Sequence, residues 1–87
     1  VLQLTLYTKD GCHLCEMLKV QLRMFQRLYP HELIEVDIAQ DRDLHAYYRF
    51  MIPVLEIGES GDRDDIIVLK APINTADLAA ALRSISL

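Results

Sequence analysis

Apolar and less apolar residues alternate with period two along Leu2-Gln3-Leu4-Thr5-Leu6-Tyr7, which predicts a half-buried strand with its even-numbered side chains on one face. Thr8-Lys9-Asp10-Gly11 interrupts the alternation, and the period then changes. Leu14, Leu18, Leu22, Phe25 and Leu28 recur at steps of three or four, the stripe of an amphipathic helix that Pro30 brings to an end. The remaining pattern predicts a strand over 33–38, a helix over 41–50, strands over 54–57 and 66–69, and a helix over 75–84. The order βαβαββα requires a parallel crossover between the first two strands and joins the last two as an antiparallel hairpin. The expected architecture is α/β, a four-stranded mixed sheet flanked by helices. With 87 residues, 52 % of them hydrophobic, the chain is expected to bury one core and to form a single domain over 1–87.

The chain has only two cysteines, Cys12 and Cys15, in the run Cys12-His13-Leu14-Cys15 where the first strand hands over to the first helix. That spacing places Cys12 at or near the first helical position and Cys15 one turn later. The first N–H groups of a helix lack partners within it, and the helix dipole adds partial positive charge, so a thiolate at Cys12 is stabilised there. Thiols in such sites have pKa values of about 3.5 to 7.5, against about 8.5 for a free cysteine. A value near 6 raises the thiolate fraction at pH 7 from roughly 3 % to roughly 90 %. Intrinsic nucleophilicity falls with pKa and offsets most of that gain, but a low-pKa sulfur is also a good leaving group. Cys12 is therefore the expected nucleophile and Cys15 the resolving thiol. Two other readings compete. Free cysteines are often buried small apolar residues. A Cys-His-x-Cys run also offers three metal donors in four residues, although a zinc site wants four protein ligands and only His31 and His45, each read as a surface histidine, remain. An iron–sulfur cluster shared between two chains belongs to the same alternative.

The segment from Leu4 to Cys15 resembles the opening of glutaredoxins, and Gly11-Cys12-His13-Leu14-Cys15 resembles a small glutaredoxin-like bacterial subfamily of the thioredoxin superfamily. The resemblance continues through element order, and Met51-Ile52-Pro53 matches the family's Thr-Val-Pro position. It implies a thioredoxin/glutaredoxin-like fold and a thiol-disulfide oxidoreductase that reduces protein or glutathione mixed disulfides. It also implies that Pro53 is cis and lies against the CxxC, that Ile52 offers backbone hydrogen bonds to substrate, and that Lys9 favours the thiolate. A cation near the sulfur acts in that direction on electrostatic grounds as well, with Asp10 partly cancelling it, and His13 would add to it when protonated. The chain departs from the family in carrying His13-Leu14 inside the motif and Ala71-Pro72 where glutaredoxins have Gly-Gly. The tryptophan before the thioredoxin motif is also missing, since the chain has no Trp. Asn74 and Thr75 open the last helix, whose free N–H groups suit a glutathione carboxylate. Asn74 with Asp77 three residues on also reads as a capping pair.

Charge narrows the partners. The net charge is −4, and the first fifty residues carry six Lys or Arg against seven acids, which argues against nucleic acid. Glu59, Asp62, Asp64 and Asp65 cluster around Gly61, interrupted by Arg63, and read as a solvated hairpin turn. Lys19, Arg23 and Arg27 are expected to solvate the polar side of the first helix, and Tyr47, Tyr48 and Phe50 to pack in the core or a groove. Asp37 is expected to face solvent or cap the next turn. No apolar run reaches the length of a membrane span and no secretory leader is visible, so a cytoplasmic monomer is expected, its cysteines suiting a transient catalytic disulfide. No cofactor is required on this reading, with glutathione as co-substrate, and the partner is a disulfide-containing protein or glutathione. The alternatives are a metal-binding or iron–sulfur module using the same cysteines, and a redox-inactive protein-interaction domain.

Overall fold

The computed structural model describes residues 2–59 and 65–86. Its elements are β1 (Leu2–Thr8), α1 (His13–Phe25), β2 (His31–Asp37), a 3-10 turn (Ile38–Gln40), α2 (Arg42–Tyr48), β3 (Val54–Glu59), β4 (Ile67–Lys70) and α3 (Thr75–Ser86). The sheet order is β2-β1-β3-β4. As expected, β1 and β2 are parallel, and β3 and β4 are antiparallel. The second neighbour of β1 is β3, also antiparallel. The expected acidic hairpin turn lies for the most part at 60–64, outside the described residues.

The strict alternation of β1 explains its central place. Leu2, Leu4, Leu6 and Thr8 are buried on one face, and Leu55 and Ile57 of β3 stand opposite Leu6 and Leu4 on that same face. Leu18 and Leu22 of α1 and Leu78, Ala81 and Leu82 of α3 complete the core, so both helices cover this side. The opposite face carries Tyr7, on which Tyr48 of α2 stacks with ring centroids 4.5 Å apart and planes 17° apart. The edge strand β2 carries Glu32 and Glu35, charges that discourage pairing with another sheet.

Four expectations are corrected. The stripe on α1 is two adjacent lines: Cys15, Leu18 and Leu22 are buried, whereas Leu14 and Leu28 are 52 % and 71 % exposed. The helix also stops at Phe25, well short of Pro30, and Gln26 Oε1 accepts from His31 N–H to fix the connection. Lys19 does not merely solvate the helix. Its ammonium bridges Glu16, one turn back, at 2.7 Å and Glu35 of β2 at 2.8 Å, and these hydrogen bonds, Glu16 first, hold its pKa above the ordinary lysine value. Arg23 and Arg27 are exposed as expected. Of Tyr47, Tyr48 and Phe50 only Tyr48 packs. Tyr47 meets the edge of Tyr48 at 4.7 Å but stays 65 % exposed, and Phe50 is 87 % exposed beneath the Arg49 guanidinium. The reason is the shortness of α2: the Tyr48 carbonyl accepts from both Met51 and Ile52 N–H, ending the helix before Phe50 can turn toward the sheet.

Two outcomes follow. Leu22→Ala should cost about 2–5 kcal/mol in denaturant unfolding, whereas Leu28→Ala should stay within about 0.5 kcal/mol of the parent. Burial, and next the Glu56 charge, push the Tyr48 pKa above its usual value near 10.0. The unfolded chain therefore loses this proton first as pH rises, so stability is complete below that value and falls above it. Tyr48→Phe should flatten the alkaline limb of stability against pH.

Candidate functional site

The turn before α1 is set by Gly11, whose φ of +81° lies in the left-handed region that side chains disfavour. The turn closes with Cys12 N–H donating to the Lys9 carbonyl at 3.2 Å. Cys12 then sits just outside the helix as its N-cap, in extended conformation, one residue before the first helical position. Its Sγ accepts the N–H of Cys15 at 3.1 Å, the place that a serine or aspartate oxygen takes in an ordinary cap. Cys15 is fully buried in line with Leu18 and Leu22, while Cys12 is partly exposed. The two are joined as a disulfide with Cα atoms 5.2 Å apart. One sulfur thus faces outward at the positive end of a helix and the other inward.

The facing wall comes from two X-Pro segments. Ile52–Pro53 is cis, as the resemblance implies, and so is Ala71–Pro72, which carried no such expectation. Ala71 N–H donates to the Pro53 carbonyl at 3.1 Å and holds the segments together. Between them and α1 lies a hollow of about 80 Å³ lined by Leu14, Met17, Gln21, Pro53, Pro72 and Ile73. Pro53 therefore lies beside the motif. Ile52 N–H donates to the Tyr48 carbonyl at 3.1 Å.

The other candidates divide. The Lys9 ammonium meets His45 Nε2 at 3.3 Å; a lysine only donates, so the ring accepts through a bare Nε2. Lys9 also lines a polar recess of about 140 Å³ with Asp10, Glu16, Lys19, Glu35 and Asp37. His13 is exposed at the first position of α1. Asp37 Oδ1 accepts from Ala39 N–H at 2.9 Å and caps the 3-10 turn, as expected. Asn74 Oδ1 accepts from Asp77 N–H at 2.7 Å and is engaged as a cap. Thr75 lines not the Pro53 hollow but the next one along α1, with Gln21, Met24, Phe25 and Leu28. Met17, Gln21, Pro72 and Ile73 were not anticipated from sequence. Met17 and Gln21 could have been found by continuing from Leu14 at steps of three and four. Among the described residues no three His, Cys, Asp or Glu side chains form a group able to hold a metal ion.

The sheet order, the placement of α1 and α3 on one face and the disulfide at the start of α1 define a thioredoxin-fold domain with a CxxC pair. The model of the Glutaredoxin-like domain (DUF836) matches residues 3–83, and the chain belongs to that family. A structural-genomics target protein from X. campestris is similar at 30 % identity and a TM-score of 0.71, over 93 % of this chain and 96 % of that one. A protein from Nitrosomonas europaea is similar at 26 % identity and a TM-score of 0.69, over 91 % and 88 %. Mitochondrial thioredoxin 3 from Saccharomyces cerevisiae, in its oxidized form, shares the fold at 18 % identity and a TM-score of 0.69, over 95 % and 77 %. No curated protein matches the chain.

The cap geometry at Asn74 is separable from any ligand role. Asn74→Ala should lower unfolding free energy by about 1 kcal/mol, and Asn74→Ser should restore most of it.

Proposed function

We propose that the protein is a thiol-disulfide oxidoreductase that cycles Cys12 and Cys15 between dithiol and disulfide and reduces protein or glutathione mixed disulfides. The observation that carries this reading is the Cys12 sulfur standing as the acceptor of the Cys15 N–H at the start of α1, with Cys15 buried behind it. In the reduced state a Cys12 thiolate receives that N–H as a charge-assisted hydrogen bond, together with the positive end of the helix. The thiolate attacks one sulfur of a substrate disulfide. The substrate S–S bond breaks, its second sulfur leaves as a thiolate that takes up a proton, and Cys12 is held in a mixed disulfide. Cys15 then loses its proton and attacks Cys12 Sγ, expelling the remaining substrate sulfur as a thiol. The substrate gains two electrons and two protons, and the pair ends as the disulfide. Two thiols, from glutathione or a dithiol protein, return it to the reduced state.

The other members of the site support this cycle without joining it covalently. Pro53 and the Ile52 carbonyl border the approach to Cys12, and Lys9 adds positive charge near the motif, joined by His13 only when protonated. Asn74 and Thr75 carry the free N–H groups at the start of α3, which suit a glutathione carboxylate. We place the protein in the cytoplasm as a monomer, with no resident cofactor and no nucleic acid or membrane partner.

Iodoacetamide alkylation of the reduced, metal-free protein from pH 4 to 10 tests the proposal when the modified cysteine is located by mass spectrometry. Cys12 should react first, with a midpoint well below that of a free thiol, about 8.5. Cys12→Ser should abolish disulfide reduction, and Cys15→Ser should trap the mixed disulfide. Slow reaction of both thiols near the free-thiol midpoint would remove the chemical basis of the reading.

A further inference from the structure

Two apolar hollows follow one another along the outer side of α1, and Gln21 lines both. The first, about 80 Å³, is lined by Leu14 of the CxxC motif together with Met17, Gln21, Pro53 and Pro72. The second, about 300 Å³, is formed by Gln21, Met24, Phe25, Leu28 and Thr75. Leu14, Met17, Gln21, Met24 and Leu28 recur at alternating steps of three and four, so they form one line down the helix and its last turn. The four apolar members are 52 %, 48 %, 74 % and 71 % exposed. This line is the trough's floor, and the 71–75 segment is its wall.

The lining specifies its occupant. No Lys, Arg, His, Asp or Glu borders either hollow. The ammonium of glutathione finds no carboxylate there and its carboxylates no cationic side chain, only the start of α3 at Thr75, whereas uncharged apolar side chains gain by entering. Gln21 Oε1, between the hollows, is buried and has no hydrogen-bond partner among the described residues. An unpaired buried acceptor is unfavourable until a donor reaches it. The last torsion of a glutamine side chain is soft, so the amide can turn outward to accept a main-chain N–H. From Leu14 to Met24 the helix rises about 15 Å, the length of about five extended residues. The trough begins at Leu14, inside the CxxC motif, so a chain whose cysteine meets Cys12 reaches the second hollow about five residues away.

We propose that this trough receives an extended, uncharged, apolar segment of a disulfide-bearing protein. One apolar side chain fills the hollow at Met24 and Leu28, and a main-chain N–H is accepted by Gln21. This substrate class rests on the oxidoreductase reading and places protein disulfides ahead of glutathione.

The test uses peptides whose single cysteine is a mixed disulfide with thionitrobenzoate, with one leucine moved stepwise along an otherwise serine chain on either side. The reduced protein should react roughly tenfold faster when the leucine lies about five residues from the cysteine, the gain expected from burying one leucine side chain. Met24→Glu and Leu28→Glu should remove that gain and leave the rate with bis(2-hydroxyethyl) disulfide unchanged. Gln21→Met should slow the leucine peptide about fivefold, the loss of one hydrogen bond. Equal rates for leucine and all-serine peptides would overturn the trough while leaving the oxidoreductase reading intact. If even bis(2-hydroxyethyl) disulfide does not react, the oxidoreductase reading fails. The trough is then judged by methyl NMR of the oxidised protein titrated with the leucine peptide carrying serine for cysteine. Shifts confined to the Met24 and Leu28 methyls uphold it, and none at millimolar peptide overturns it. Shifts at those methyls that follow protein concentration without peptide would assign the face to a second copy and overturn the peptide proposal.

Discussion

The hydrogen bond from Cys15 N–H to Cys12 Sγ is the constraint on which the site depends. A helix starting at the rim of a sheet must satisfy its first N–H groups, and here the atom that does so is the sulfur of the outer cysteine. A serine would cap the helix as well and do no chemistry. The arrangement requires Cys12 to be extended and therefore to lie outside the helix, which in turn requires the sharp turn at Gly11. Fold and chemistry meet in one atom: an N–H that stabilises a sulfur cap weakly when it is neutral stabilises it more strongly as a thiolate. The helix start thus favours the state in which Cys12 attacks or departs.

The rotational phase of α1 decides everything else about the pair. Cys15, Leu18 and Leu22 lie on one buried line, Leu18 and Leu22 within the cluster that holds Leu4, Leu6 and the α3 residues Leu78 and Leu82. In the proposed cycle, a resolving thiol on this line is shielded from solvent and from other disulfides, and the outer sulfur alone is presented. The adjacent line, Leu14 to Leu28, is equally apolar in sequence yet faces outward beside the Pro53 and Pro72 segments. A helix with apolar residues over so wide an arc cannot bury all of them against one sheet face and one neighbouring helix. The surplus is the surface that runs from Leu14, inside the CxxC motif, to Leu28.

Much of this was legible from residues alone. The period-two run of β1, the change of period after Gly11 and the CxxC at that junction gave the order of elements, the parallel and antiparallel pairings of the outer strands and the identity of the cysteines. What remained hidden was what tertiary contacts decide. Local pattern could not say which of two apolar lines on α1 packs inward, because that depends on where α3 lies. It could not place Lys19 between Glu16 and Glu35, since Glu35 arrives from β2. Nor could it show that α2 ends at Tyr48 and leaves Phe50 outside, because propensity near Tyr47-Tyr48-Arg49-Phe50 carries no stop signal. The resemblance supplied Pro53, and it could not supply Pro72, where the chain departs from the pattern it otherwise follows.

The wall opposite the cysteines is an extension of the sheet rather than a free loop. Val54 pairs with Lys70 at the last register position of β3 and β4, and the bond from Ala71 N–H to the Pro53 carbonyl continues that ladder one step further. Pro53 and Pro72 are therefore positioned by the same strands that carry Leu55 and Ile57 into the core. A wall fixed in this way does not close over a ligand; it offers a set shape against which a chain must lie. On the α1 side the floor is made of leucine and methionine, and methionine adapts its shape readily. A fixed wall and a pliant floor discriminate on polarity more than on sequence, which is what the proposed partners, sharing a disulfide and an apolar flank rather than a single motif, would require.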